Sequence, residues 1–449
     1  MKIKVFVILP FLIACSLNAA RVEGDRAQAR TALRGVRNAV DAPPLRTSIE
    51  SDTSIKSYAE PRSSSNSSSS GALRLTPRRI SLADGKRFDL NLPEGFDIKV
   101  AAEGLKRVRF MARSPDKRVF VTDMYNLTDN RRGAVYILDD FDAQRGKFGK
   151  VTRYLARLRN PNSIAFYTDR DGVNWLYLAL TDRLVRYRYT SGDDAPQSAP
   201  QVIATFPDYG LGYKYGGWHL TRTVAVGPNE KIYVSVGSSC NACEEKEEIR
   251  ATVIELEPDG RHQRIFAKGL RNAVGIKWVD GKLFATNMGA DHLGRDRPQD
   301  TMYEVKEGTN YGWPYCFRYR SINYSDPQFA KSAGRLNCRS VPPPYAAFPA
   351  HSSPLGLEYF GSDTRLQGLR NSFLVALHGS SDHRMNRGHQ IVQVKEDGAT
   401  QAFVSGFVQN GRLYGRPADV MQLDADSLLF TDDHTGVVYY VSRGRAAAR

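Results

Sequence analysis

A histidine between glycines and an arginine stands in the run Gly216-Gly217-Trp218-His219-Leu220-Thr221-Arg222-Thr223. A neutral imidazole accepts a proton near physiological pH, an arginine holds an anion, and glycines let a flat ligand approach the backbone. Val224 to Gly237 reads as one short β unit, which Ser238-Ser239-Cys240-Asn241-Ala242-Cys243 closes with two cysteines. A lone histidine among glycines is not yet a site. It becomes one if other polar turns converge on it.

The organisation of the chain implies that convergence. One pattern recurs six times: a turn rich in Pro, Asp, Asn or Gly, then a short β-branched or aromatic strand ending in small residues, with copies beginning at Ser114, Asp171, Gly227, Asp280, Asn371 and Asp424. The interval is a little over 50 residues, with one of about 90 between the fourth and fifth copies, and repeats of that length built from short strands point to a β-propeller. Six copies predict an all-β, six-bladed β-propeller over residues 78–445. A β-sandwich is the competing architecture, and it does not explain a fixed interval. The long interval contains Tyr311 to Pro349, an expected insertion that carries Cys316 and Cys338. In a propeller the equivalent turns meet round the central channel: Gly217 to Arg222, Gly269 to Asn272, Asn287 to Asp291, His351 to Gly356, Leu377 to Ser380 and Tyr414 to Asp419.

Composition is that of a globular protein, 41% hydrophobic and 25% charged over 449 residues, so a large core is possible. The net charge of +15 is compatible with nucleic acid, anionic lipid or acidic small ligands. No run of Lys and Arg falls on a helical pattern, so nucleic acid is not an expected partner. Residues 1–20 read as an export signal, with Lys2 and Lys4 before an apolar stretch from Val5 to Ala14 that is too short to span a bilayer. Leu12-Ile13-Ala14-Cys15 has the form of a lipobox, with Cys15 the lipidated residue; a cut near Asn18-Ala19-Ala20 is the alternative. Residues 21–77, with a serine run from Ser63 to Ser70, cannot bury enough apolar surface to offset the entropy of ordering and read as a disordered tether. Membrane contact is expected only through that lipid anchor. The four remaining cysteines, Cys240, Cys243, Cys316 and Cys338, read as two disulfides in an oxidising compartment, with three possible pairings. Cys240 with Cys243 and Cys316 with Cys338 close the shortest loops, and a zinc site from the same four is the alternative.

Several of these stretches together resemble a known family. Leu92-Pro93-Glu94-Gly95-Phe96, Gly217 with His219 and Thr221-Arg222-Thr223, Val236 to Cys243, Gly269-Leu270-Arg271-Asn272, Tyr311 to Cys316, Pro354-Leu355-Gly356-Leu357, His378-Gly379-Ser380 and Gly415-Arg416-Pro417 are similar to the pyrroloquinoline quinone (PQQ) dependent sugar dehydrogenases of the glucose/sorbosone type. The resemblance covers about residues 78 to 443 and implies PQQ over the channel mouth with Ca2+ beside it. It makes His219 the base for a sugar hydroxyl, sets Arg271 and Asn272 on the quinone oxygens, and pairs Arg416 with a PQQ carboxylate. Arg222 is a further candidate for a carboxylate and His378 for the pocket wall. Calcium is expected on Gly289 and Ala290 carbonyls with Asp291. Ser238 stands where the glucose-oxidising members have an acidic residue, so either another group orients His219 or the base is less basic, and glucose is not the expected substrate. The implied substrate is an aldose or sorbosone-like sugar, and the implied electron acceptor a respiratory cytochrome or quinone. Two readings compete: a calcium-dependent propeller hydrolase of lactonase type, for which Asn287 and Asp291 are the nearby side chains, and a non-catalytic propeller that binds sugars or a protein.

Overall fold

Six four-stranded antiparallel sheets make up most of the chain, and their innermost strands touch in a closed ring. The computed structural model describes residues 73–208, 218–332, 334–366 and 368–444. The export signal, Cys15, most of the expected tether and the pair Gly216-Gly217 lie outside them. Blade 1 runs from Val108–Arg113 through Val119–Asp123 and Gly133–Asp142 to Lys147–Leu158. Blades 2, 3, 4 and 5 follow the same order from inner strands Ser163–Thr168, Arg222–Val226, Ala273–Val279 and Pro354–Phe360, and blade 6 starts at Pro417–Asp424. Each recurring turn joins a first strand to a second.

The second strands carry the clearest sequence signal because neighbouring blades cover both of their faces. Val119–Asp123, Ile232–Val236 and Ser372–Leu377 are buried at every position, so they read as continuous apolar runs rather than alternating ones. The outer strand Lys147–Leu158 is mostly exposed, and its sequence is correspondingly polar. The hydrophobic core is therefore a set of slabs between blades. Phe120, Val135 and Ile137 of blade 1 pack on Leu176, Leu178 and Tyr187 of blade 2, and equivalent slabs lie between the later pairs. Truncating one such leucine to alanine costs about 2–5 kcal/mol.

Polar staples near the axis register the slabs. Thr122 Oγ1 donates to Asn162 O at 2.7 Å, Thr223 Oγ1 to Val274 O at 2.5 Å, Thr286 Oγ1 to Leu355 O at 2.8 Å and Thr431 Oγ1 to Arg109 O at 2.7 Å. Asn162 reaches Arg222 O at 3.2 Å, and Arg416 Nε reaches His378 O at 3.0 Å, so every blade is bonded to the next. The donors are buried hydroxyls, amides and a guanidinium whose partners belong to the neighbouring blade, so sliding one blade leaves several polar groups unpaired.

The fourth strand of blade 6 is Phe96–Ala102, from the front of the propeller, paired with Val437–Arg443. It closes the ring by main-chain hydrogen bonds. Ahead of it the hairpin Leu75–Ser81 with Arg87–Pro93 puts Ile80, Phe88 and Leu90 into the slab between blades 5 and 6. The expected insertion lies in blade 4, between Asp300–Val305 and Ala346–Phe348, and contains the hairpin Cys316–Tyr319 with Ile322–Ser325. The cysteines pair as Cys240–Cys243 and Cys316–Cys338, so none of the four is available to zinc. Among the described residues no helix is long and apolar enough to cross a membrane.

Candidate active site

A cavity of about 470 Å³, open to solvent, lies at one end of the axis. His219, Asn272, His378 and Arg416 line it, so four of the expected residues, from the loops leading into blades 3 and 4, the loop after the second strand of blade 5 and the loop leading into blade 6, meet in one place. Asp291, a fifth expected residue, lines it from the turn after the second strand of blade 4, and Arg109, Trp218 and His351 line it as well.

The loops are held by residues at the ends of second strands. Asp432 Oδ1 accepts from Arg416 N at 2.9 Å, Asn287 Oδ1 from Asn272 N at 3.1 Å, and Asp123 from Lys106 N and Arg107 N at 2.8 and 2.9 Å. The recurring pairs Thr122-Asp123, Thr286-Asn287 and Thr431-Asp432 therefore have two tasks: the threonine staples blades and its neighbour fixes a cavity loop. Gly237 allows the His219 and Asn272 loops to approach closely. A Cβ there would lie 2.5 Å from both Asn272 Oδ1 and the His219 Cβ. Gly269, at φ 76, would meet Asn310 Oδ1 at 2.1 Å, and it turns the chain toward Arg271 and Asn272.

His219 is bonded through one nitrogen only. Nδ1 lies 3.0 Å from Ser238 O and 2.9 Å from Ser238 Oγ, and Nε2 has no described partner. Burial, then the cations Arg271, Arg222 and Arg250, lower its pKa well below the usual range, with the Ser238 carbonyl acting the other way. The ring is therefore neutral at neutral pH. Trp218, 45% exposed, sits beside it with ring centroids 6.2 Å apart and φ of 87°, an uncommon backbone for a bulky residue.

His378 faces the same space with a different partner. Its Nε2 lies 2.8 Å from Asp433 Oδ1, and Asp433 is also held by Arg109 at 2.7 Å and Arg107 at 3.1 Å. Burial opposes ionisation of Asp433, but His378, Arg107 and Arg109 keep its pKa well below the ordinary carboxylate value. Burial and Arg416 lower His378 to about 3 against the pull of Asp433. Arg416 donates to the carbonyls of His378, Gly379 and Ser380, at 3.0 Å for the first.

Arg271 and Arg222 lie behind the wall. Arg271 is 3% exposed and donates to Asn241 O at 2.8 Å, Asn241 Oδ1 at 2.9 Å and Gly289 O at 2.8 Å, with Asp291 at 3.5 Å. It lines a smaller cavity under the blade 4 insertion instead of the central one. Arg222 is 2% exposed, and it donates to His219 O at 2.7 Å, Thr221 O at 2.9 Å and Pro207 O at 3.2 Å. Burial and Arg250 lower it to about 9. At this position it supports the His219 turn from beneath. Asp291 accepts from His351 Nδ1 at 3.1 Å as well as facing Arg271, so the oxygens of the expected calcium turn are already engaged by two cationic side chains.

Asp433 and Arg109 were not among the residues singled out from the sequence. The doubled acid Asp432-Asp433 at the end of a second strand, where blades 1 and 4 carry the single Asp123 and Asn287, is the signal that marks the first. Arg109 lies on an inner strand and only ring closure brings it to Asp433.

The family model described as TrAA12-like matches residues 90–405. An uncharacterized protein of Borreliella burgdorferi is 24% identical over 377 residues, 78% of this chain and 90% of that one. Among solved structures, the holo form of the pyranose dehydrogenase PQQ domain from Coprinopsis cinerea superposes with a TM-score of 0.63 at 18% identity, covering 80% of this chain and 98% of that one. The calcium structure of the Trichoderma reesei Carbohydrate-Active Enzymes Family AA12 protein gives 0.65 at 17%, covering 84% and 100%. The PQQ-bound aldose sugar dehydrogenase of Streptomyces coelicolor gives 0.51 at 19%, covering 78% and 99%. At these identities the structural likeness is one of fold, the six-bladed propeller expected from the repeats. The match of the family model across most of the propeller, together with that fold, places the chain in the TrAA12-like family.

Proposed function

We propose that the protein oxidises a hydroxyl of a pyranose or related aldose in the central cavity, with PQQ as the resident acceptor. The reading is carried by one observation: a neutral imidazole with an unbonded Nε2 lines the same cavity as Arg416 and Asn272. Nε2 of His219 takes the proton of the sugar hydroxyl, a transfer worth roughly 10²–10⁴ in rate. Asn272 donates its amide toward the oxygens that gain charge, and Arg416, with Arg109 behind it, supplies the positive wall that a flat polyanion requires. That donor set fits PQQ. Bound there, PQQ supplies the hydride acceptor.

Calcium does not fit Gly289, Ala290 and Asp291 as they stand. A guanidinium already occupies Gly289 O, and Asp291 is shared between Arg271 and His351. No step is assigned to it. The hydrolase reading lacks support: among the described residues the cluster of metal-ligating side chains is Cys240, Cys243 and Glu245, and its sulfurs are tied up in a disulfide. The reading extends to an exported protein, anchored through Cys15, that passes electrons to a respiratory cytochrome or quinone.

Reconstitution tests the proposal. Apoprotein mixed with PQQ, with and without calcium, should bind the cofactor and reduce a dye when given aldoses. Absence of both cofactor absorbance and dye reduction would remove the dehydrogenase reading.

A further inference from the structure

We propose that Ser238, clamped by the Cys240–Cys243 loop, is the positioning residue of His219: it holds the proton on Nδ1 and leaves Nε2 as a bare acceptor toward the cavity. The inference rests on the reading of His219 as the base, and it concerns how the base is held.

The proton arrangement follows from which atoms can donate. Ser238 O, 3.0 Å from Nδ1, is a carbonyl and can only accept, so Nδ1 carries a hydrogen. Ser238 Oγ lies 2.9 Å from the same Nδ1 and 2.7 Å from Cys240 O. Cys240 O also only accepts, so the hydroxyl hydrogen goes there and the Oγ lone pair faces Nδ1–H. One arrangement satisfies all three contacts, and it makes Nε2 the unprotonated nitrogen. A serine thus sets the tautomer with both its main chain and its side chain.

The loop carrying this acceptor pair is itself fixed on every side. Ser238 N donates to Arg271 O at 2.8 Å, and Ser239 N and Oγ both reach Glu245 at 2.6 Å. Asn241 O takes Arg271 Nε at 2.8 Å, and Asn241 Oδ1 takes Asp291 N at 2.8 Å. Gln328 of the blade 4 insertion reaches Ala242 O at 3.0 Å. The disulfide closes the ring of residues whose Cys240 carbonyl orients the Ser238 hydroxyl. The charges that act most strongly on the imidazole are the cations Arg271, Arg222 and Arg250; Asp291 lines the same cavity but is paired with Arg271 and His351, and Ser238 adds no negative charge. A neutral positioning group in a cationic surround keeps the ring deprotonated in acid, where a carboxylate in its place would promote protonation.

The test uses the full-length apoprotein, so it does not depend on cofactor turnover. Nitrogen NMR of labelled histidine reports which ring nitrogen of His219 is protonated, and acylation by diethyl pyrocarbonate reports the free Nε2 as pH is varied. The wild type should show Nδ1–H alone and no proton uptake at His219 from about pH 5 to 8. Ser238→Asp should bring a titration into that window, with acylation at its acid end reduced at least about tenfold, equivalent to one pKa unit. Ser238→Ala removes one of the two acceptors and leaves the carbonyl, and Cys240→Ser with Cys243→Ser frees the Ser238 hydroxyl to turn, so each should keep Nδ1–H as the major form and admit a minor Nε2–H population absent from the wild type; they decide the question if Ser238→Asp fails to fold. An Nε2–H tautomer in the wild type, or unaltered tautomer and titration in these variants, overturns the proposal. After reconstitution, the acid limb of the kcat/KM profile should move up in Ser238→Asp. If the tautomer is as stated but His219 variants turn over normally, the base reading fails and the positioning role stands.

Discussion

Two histidines face one cavity, and their partners set them apart. His219 leans on a serine, with arginines as its strongest charged neighbours, whereas His378 leans on a buried carboxylate shared with Arg107 and Arg109. Each ring is kept neutral, by different means. At His219 burial and the cations repel a proton, and its bonded partner Ser238 carries no charge to attract one. At His378 the anion is present but already satisfied by two guanidiniums, and burial with Arg416 prevails. A carboxylate beside an imidazole is therefore not sufficient to make it basic; the charge left over on that carboxylate matters. On the proposed function the His219 side handles the mobile proton, and the His378 side is a buried ion cluster that holds the fold.

The largest expected effect separates those roles. His219→Gln should lower turnover of reconstituted protein by about 10²–10⁴ with little loss of stability, while His378→Gln should change KM more than kcat; steady-state kinetics on both decides, and a larger kcat loss at His378 would invert the comparison. Next is Asp433→Asn, which leaves Arg107 and Arg109 buried without their anion and should destabilise the fold by about 3–5 kcal/mol, measured by urea unfolding. Ser238→Ala should cost far less in the same assay, because Ser238 O remains an acceptor.

Acid should sharpen the contrast. The folded pKa of His378 is about 3 and that of His389 about 4, both below the ordinary 6.5. Groups depressed in the folded state give full stability above the unfolded pKa, and that stability falls as pH drops from about 6.5 through the folded values, since only the unfolded chain takes up the proton. The urea midpoint should fall over that window, and His378→Gln should flatten the slope. The smallest effect expected is from Thr431→Val, which removes one blade staple to Arg109 O at a cost of about 1 kcal/mol and should leave the tautomer of His219 untouched.

Much of this was legible in the chain. The repeat read at Ser114, Asp171, Gly227, Asp280, Asn371 and Asp424 was enough for six blades, because turn chemistry and doubly buried strands leave a local imprint. His219, Asn272, His378 and Arg416 were legible because equivalent loops of a propeller must share one end of the axis. Arg271 and Arg222 were read toward a ligand, yet both guanidiniums turn to main-chain carbonyls in the wall. Residue type did not reveal that, since an arginine satisfies a carbonyl as readily as an anion.

The amino-acid sequence by itself determined the architecture, the insertion in blade 4 and the set of loops that form the cavity, for those depend on periodicity and short-range turns. Only the tertiary structure decided that Phe96–Ala102 completes blade 6, that Asp433 meets Arg109 and His378, and that Ser238 holds His219. These contacts join residues far apart in the chain or depend on side-chain direction. They arise once the ring closes and each buried polar group must find a partner.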